Sequence, residues 1–307
     1  MSEKIEAHIE KIPVIRNMMY FLKRRKLAWL HGVTLYDLIE IYTIGIIEGA
    51  LSYRAGAIAF SFFMALFPFA LFILNLIPFI PIDGFQDNFL NFVSESVPPN
   101  TYEAIALIIK DILSNSHSGL LSSGFLLSIF LQANGLNAIL GGFETSKQIE
   151  EKRGFFRQYF IALAMSFLLS FLLITTVVII IVFEFFLQKT KIQDVLSDQI
   201  PLLIIGRYFS VILMILITIS ILFKFGIRQK RKMAFISIGS VFTTILILIS
   251  SYFFGIWVVK FSKYNELYGS IGTLLIMMFY IWINCMILLL GFELNATINK
   301  YRKLNET

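Results

Sequence analysis

Three histidines, one cysteine and 20 carboxylates are the groups of this chain that could hold a metal or move a proton. Their spacing suits neither task. His8, His31 and His117 are scattered, and Cys285 stands alone inside an apolar run, so neither an intramolecular disulfide nor a cysteine metal cluster is available. The glycine-rich loop that cradles nucleotide phosphates is absent, as is the paired-histidine helix of zinc proteases. No serine sits in the strand-to-helix elbow of the hydrolases. The expectation is a protein without enzymatic activity, cofactor or metal.

Polar residues inside long apolar stretches say more, because each costs free energy in hydrocarbon unless it has a partner or a task. Pro68 removes a helical hydrogen bond in the middle of one stretch and would kink it. The kink either breaks a helix that lines a cavity or serves packing alone. Gln132, Asn134 and Asn137 share a second stretch, and Asn284 lies in the last. These amides either form a polar substrate pathway or tie helices together, at about 0.6–2 kcal/mol per contact. Glu184 and Arg207 are the charges within spans, and the topology below places both near the outer surface as an ion pair, structural or gating. Lys224, Arg228, Lys230, Arg231 and Lys232 form a basic run without an acid. The run suits anionic lipid head groups or a topology signal. Nucleic acid is a poor match, since no stacking aromatics interleave with the charges.

The elements that must position these residues follow from composition. The chain of 307 residues is 57% hydrophobic, with a mean hydropathy of +0.79, and only 15% of it is charged. A spanning helix needs about 20 mostly apolar residues, and six segments qualify, near 56–80, 119–140, 160–187, 203–223, 234–259 and 270–296. In lipid, unpaired backbone groups have no solvent partner, so the segments read as helices. Lys and Arg alternate between the loops: 20 of the 26 fall in residues 1–55, 141–158, 224–233 and 297–307. The positive-inside rule then puts both termini in the cytoplasm of a bacterial cell membrane, with six crossings. The net charge of +6 is explained without nucleic acid. Residues 34–52 read as an interfacial helix, with Asp37, Glu40 and Glu48 on one face and Leu38, Ile41, Tyr42 and Ile46 on the other. The outer loop 82–118 carries a further helix from about 100 to 114. No signal peptide is expected within the first 55 residues. The fold class is thus all-α: a polytopic bundle of six transmembrane helices plus an N-terminal interfacial helix, with residues 1–33 as a cytoplasmic segment, 34–300 as the membrane domain and 301–307 as a tail.

Four stretches resemble the YihY/BrkB family of inner-membrane proteins, also called ribonuclease BN-like. They are Tyr53-Arg54-Ala55-Gly56-Ala57-Ile58-Ala59-Phe60-Ser61 with Leu66-Phe67-Pro68; Leu136-Asn137 with Glu151-Lys152-Arg153; Tyr268-Gly269-Ser270-Ile271-Gly272; and Gly291-Phe292-Glu293-Leu294-Asn295-Ala296. Trp282 is slightly displaced from the family pattern. The resemblance implies a six-helix inner-membrane protein whose relatives are associated with serum resistance or envelope-lipid export. The ribonuclease label finds no support in these residues, since no H-x-H-x-D-H cluster is present. Gly56, Gly269 and Gly272 are expected to let helices approach closely. Arg54, Arg153, Glu293 and Asn295 are expected to form a polar network at the inner ends of the first, second and sixth spans. The leading expectation is a transporter or lipid-translocating protein for an envelope substrate, with membrane lipids as partners. The alternative is a non-catalytic scaffold for envelope assembly.

Overall fold

The computed structural model describes residues 51–76, 118–146, 152–189, 202–227, 234–261 and 264–304, with isolated positions at 23–24, 34, 36, 39–40, 46, 50, 86–87, 90–91, 106, 109 and 149. Of these, 67–76, 118–125, 183–189, 202–205, 259–261, 264–271, 301–304 and a few single positions, Arg207 among them, are described by their backbone alone.

Every element is a helix: α1 Leu51–Leu76, α2 Ser118–Glu144, α3 Phe155–Lys189, α4 Leu202–Phe225, α5 Ile238–Phe261 and α6 Tyr264–Leu304. Among the described residues no strand occurs. Among the described residues, four helices contain a stretch long and apolar enough to cross a membrane, at Phe155–Leu173, Tyr208–Phe225, Ile238–Val258 and Leu274–Lys300. Their outer surfaces stay apolar: Phe160, Phe171, Val182, Phe209, Tyr252 and Leu275 are all exposed. Water would not tolerate such a surface across the height of a bundle, whereas lipid favours it.

Each helix packs against the next in sequence, and α6 packs back on α1, which closes the six into a ring. The α1–α2 interface is close because Gly142 faces Ile58 and Gly135 faces Phe62, and Gly142 also meets Leu289 of α6. The α5–α6 interface is closer still. A Cβ on Gly239 would strike the Gly291 carbonyl and Asn295, and a Cβ on Gly291 would strike Thr243. These glycines let two backbones meet in hydrocarbon.

The observed helices overrun most of the expected spans. α1 begins at 51 rather than 56, and α6 runs from 264 to 304 rather than 270 to 296. Hydropathy ends where lipid ends, but a helix continues through good helix formers such as Lys300 and Arg302. Residues 301–304, expected in the tail, therefore belong to α6. α5 starts later than expected, at 238, because Ser237 caps it: Ser240 N–H donates to Ser237 Oγ at 3.1 Å, and Ser237 N–H to Ser240 Oγ at 2.9 Å. The expected interfacial helix 34–52 cannot run unbroken into α1, since Ala50 sits at a φ of 45° and α1 starts one residue later. Most of that segment, Asp37 and Glu48 included, lies outside the described residues, as does most of the expected loop helix 100–114. α1 runs through Pro68 as one helix.

Candidate functional site

The polar interior is concentrated where α1, α3 and α5 begin and α2 and α4 end. α6 passes the same level at Glu293. This is called the Arg54 end below.

Glu293 is completely buried, and its two carboxylate oxygens have separate donors. Arg54 Nη1 donates to Oε1 at 2.8 Å and Ser146 Oγ to Oε2 at 2.8 Å. Arg54 sits in the first turn of α1, Ser146 two residues past α2, and Glu293 well inside α6. One carboxylate thus ties the start of α1 and the end of α2 to the body of α6. Charge-assisted bonds of this length offset part of the desolvation of a buried pair.

Arg153 and Asn295, expected in the same network, act beside it. Arg153 Nη1 and Nη2 donate to the carbonyls of Gly226 and Phe225 at 3.2 and 3.0 Å, capping the C-terminus of α4. The Arg153 backbone N–H reaches both oxygens of buried Glu144 at 3.3 Å. The segment between α2 and α3 is therefore pinned at each side. Asn295 Oδ1 accepts from Gly239 N–H at 2.8 Å, and its Nδ2 donates to Ser237 Oγ at 2.6 Å, so α6 caps the start of α5. Sequence reasoning missed Ser146 and Glu144. A serine and a glutamate at a helix end carry no periodic signal, and Glu144 meets the backbone N–H of Arg153 rather than its charge.

Just inside this network, three fully buried rings meet: Phe143 of α2, Phe223 of α4 and Phe292 of α6. Phe143 and Phe292 stack at 4.1 Å between centroids, and Phe223 presents an edge to both at 5.7 and 5.9 Å. Alternate helices of the ring supply them, so they meet across its interior.

The midplane amides are dispersed. Gln132 Oε1 accepts from Ser170 Oγ on α3 at 3.0 Å. Asn284 Nδ2 donates to its own helix at Tyr280 O, 2.8 Å away. The backbone carbonyl of Asn137 accepts from Gln158 at 3.2 Å. Asn134 is half-buried on α2. The structure does not bring these amides into one groove. Pro68, Glu184 and Arg207 fall on α1, α3 and α4, and their side chains lie outside the described residues. Gly56 is not a close-approach glycine, because a Cβ there would meet nothing within 4 Å. Gly272 is buried on α6, and the surroundings of Gly269 lie outside the described residues.

A groove of about 440 Å³ opens between α3 and α4. Thr175, Thr176 and Ile179 form one wall, and Gly206, Ser210 and Met214 the other. Thr175 and Thr176 donate their hydroxyls to the carbonyls of Phe171 and Leu172, so the wall they present is largely methyl. The exposed Ile179, Phe209 and Leu213 mark its opening on the outside of the ring. Among the described residues, no group of three or more His, Cys, Asp and Glu side chains is placed to hold a metal ion.

Apolar helices closed into a ring with buried charge at one end define a polytopic helical membrane protein. Residues 46–307 match the family model described as virulence factor BrkB, and the chain belongs to that family. It is 28% identical over 258 residues to the ribonuclease-like protein YfkH of Bacillus subtilis (strain 168), covering 82% of this chain and 91% of that one. It is 22% identical over 249 residues to a UPF0761 membrane protein of Coxiella burnetii (strain Dugway 5J108-111), covering 80% and 86%. No solved structure matches it.

Proposed function

We propose that this chain translocates an amphipathic lipid of the cell envelope, as a six-span protein of the cytoplasmic membrane with both termini in the cytoplasm. The α3–α4 groove carries the reading. It is open on the outside of the ring, its walls are almost wholly apolar, and its volume of about 440 Å³ suits hydrocarbon chains rather than a hydrated solute. A lipid could enter sideways from the bilayer without crossing water. At the Arg54 end, which this topology makes cytoplasmic, exposed Lys152, Arg157 and Lys224 lie near exposed Phe155, Phe156 and Phe160. That basic and aromatic rim fits anionic head groups at an interface. The proposal includes no enzymatic step and no nucleic acid. Reconstitution into liposomes carrying a fluorescent phospholipid tests it. Faster loss of inner-leaflet lipid than in empty liposomes supports translocation, and equal rates with phospholipids and anionic glycolipids, with and without a proton gradient, refute it.

The tying of Gln132 to Ser170 favours a second reading, a non-transporting scaffold for envelope assembly. That reading expects no lipid movement in the same assay.

A further inference from the structure

We infer that Arg157 and Lys224 form a docking site for the phosphate of an anionic glycerophospholipid at the foot of the α3–α4 groove. The site gives the proposed translocator a substrate class and a loading point. It rests on that reading for this role, but not for the binding itself.

The first observation is register. Arg157 stands eighteen residues before Thr175 on α3, and Lys224 eighteen residues after Gly206 on α4, and both stretches are unbroken helix. Eighteen residues make five whole turns, so each cation shares a helix face with a groove wall about 27 Å away. Thr175 and Gly206 line the groove on its two sides. The seam that opens as an apolar groove therefore ends, at the Arg54 end, in two cations. Ile217, also in the groove, is seven residues or about 10 Å from Lys224. That is less than half of the roughly 30 Å of hydrocarbon, so the acyl chain of a lipid docked there reaches the groove. Arg153 clamps the foot of the seam, since its guanidinium bonds the Phe225 and Gly226 carbonyls next to Lys224.

The second observation is charge. Among the described residues, the carboxylates that the helices carry at this end are Glu144 and Glu293. Both are buried and already accept hydrogen bonds, from Arg153 N–H and from Arg54 and Ser146. Arg157 and Lys224 are exposed, and Lys152, one residue before Arg153, adds a third exposed cation. Lys224 Nζ lies 5.4 Å from the Phe235 ring centroid and 5.8 Å from that of Phe225, contacts that orient the ammonium without neutralising it. Phe156 and Phe160 of α3 turn their rings outward nearby. Cations set in apolar surroundings suit a phosphate carried on hydrocarbon, and a zwitterionic head group would bring its own cation against them. A soluble anion would gain the charge but not the apolar contact. Charge placed only to orient the chain has no need to share a face with the groove.

The test titrates the full chain, purified in neutral detergent at low salt, with chain-labelled phosphatidylglycerol and phosphatidylcholine of equal chain length. The unaltered chain is expected to bind phosphatidylglycerol about tenfold or more tightly, at about fivefold per basic residue. Arg157→Gln/Lys224→Gln is expected to erase that preference without weakening phosphatidylcholine. Arg157→Lys/Lys224→Arg, which keeps both charges, is expected to retain it. Lys300→Gln removes an exposed cation from α6, which packs on α5 and α1 rather than on the seam, and is expected to change nothing. Equal affinities for the two lipids in the unaltered chain overturn the inference. So does an equal loss from Lys300→Gln, which marks a diffuse positive surface, or displacement of the lipid by millimolar inorganic phosphate, which marks a site for a soluble anion. Lipid movement in liposomes is scored separately. A chain that keeps the preference yet moves no lipid refutes the translocator and leaves the docking site standing.

Discussion

A carboxylate with no exposed surface between three helices is stable only while both of its oxygens are occupied, and Glu293 meets that condition through Arg54 and Ser146. Removing one partner leaves the other charge stranded. Arg54→Ala or Glu293→Gln should therefore destabilise the detergent-solubilised protein by about 3–5 kcal/mol, read as a lower thermal midpoint. The double variant Arg54→Met/Glu293→Leu should lose less than the sum of the single changes, since it strands no charge. Ala50 offers the opposite case. Its φ of 45° lies in the left-handed region, where a Cβ costs about 1–2 kcal/mol. Ala50→Gly should raise the midpoint by an amount corresponding to about 1 kcal/mol, and an unchanged or lower midpoint would count against the turn before α1. The family resemblance and their shared depth brought Arg54 and Glu293 into one expected network, in which Glu293 was free to pair with Arg54 or Arg153. The ring-forming phenylalanines were not legible. The chain holds 32 phenylalanines, and a helix apolar on all sides does not announce which face turns inward and which meets lipid.

At the scale of elements, hydropathy located all six helices and misjudged their ends, because lipid thickness and helix length are set by different forces. Lys300 stops a hydropathy window without stopping a helix, and the Ser237–Ser240 cap trims α5 where hydropathy still runs on. Of the glycines expected as a packing device, Gly56 does not serve as one. Gly56 faces open space, whereas Gly239 and Gly291 bring α5 and α6 into backbone contact. Gly291→Ala should cost about 1–3 kcal/mol by overpacking against Thr243, measured as a lowered thermal midpoint. Gly56→Ala should be neutral or stabilising by up to about 1 kcal/mol, because alanine is the better helix former. Equal losses for the two would contradict the assigned interfaces.

At the scale of the molecule, the ring divides its polarity unevenly: apolar surface outside, a charged tie at one end, a buried apolar core within and a lateral groove between α3 and α4. In the proposed function the groove is the hydrocarbon path. The amides stood out in the sequence, as either a pathway or ties between helices, because they are the visible polar anomaly in a span. The groove escaped notice because it is made by what is missing, the side chain of Gly206 and the bulk of Ser210 opposite Thr176. Filling it is the most direct measurement. Gly206→Leu/Ser210→Leu, compared with the unaltered chain in the fluorescent-lipid assay at matched density and with folding checked by elution, is predicted to abolish lipid movement. Undiminished movement with the groove filled would contradict the account.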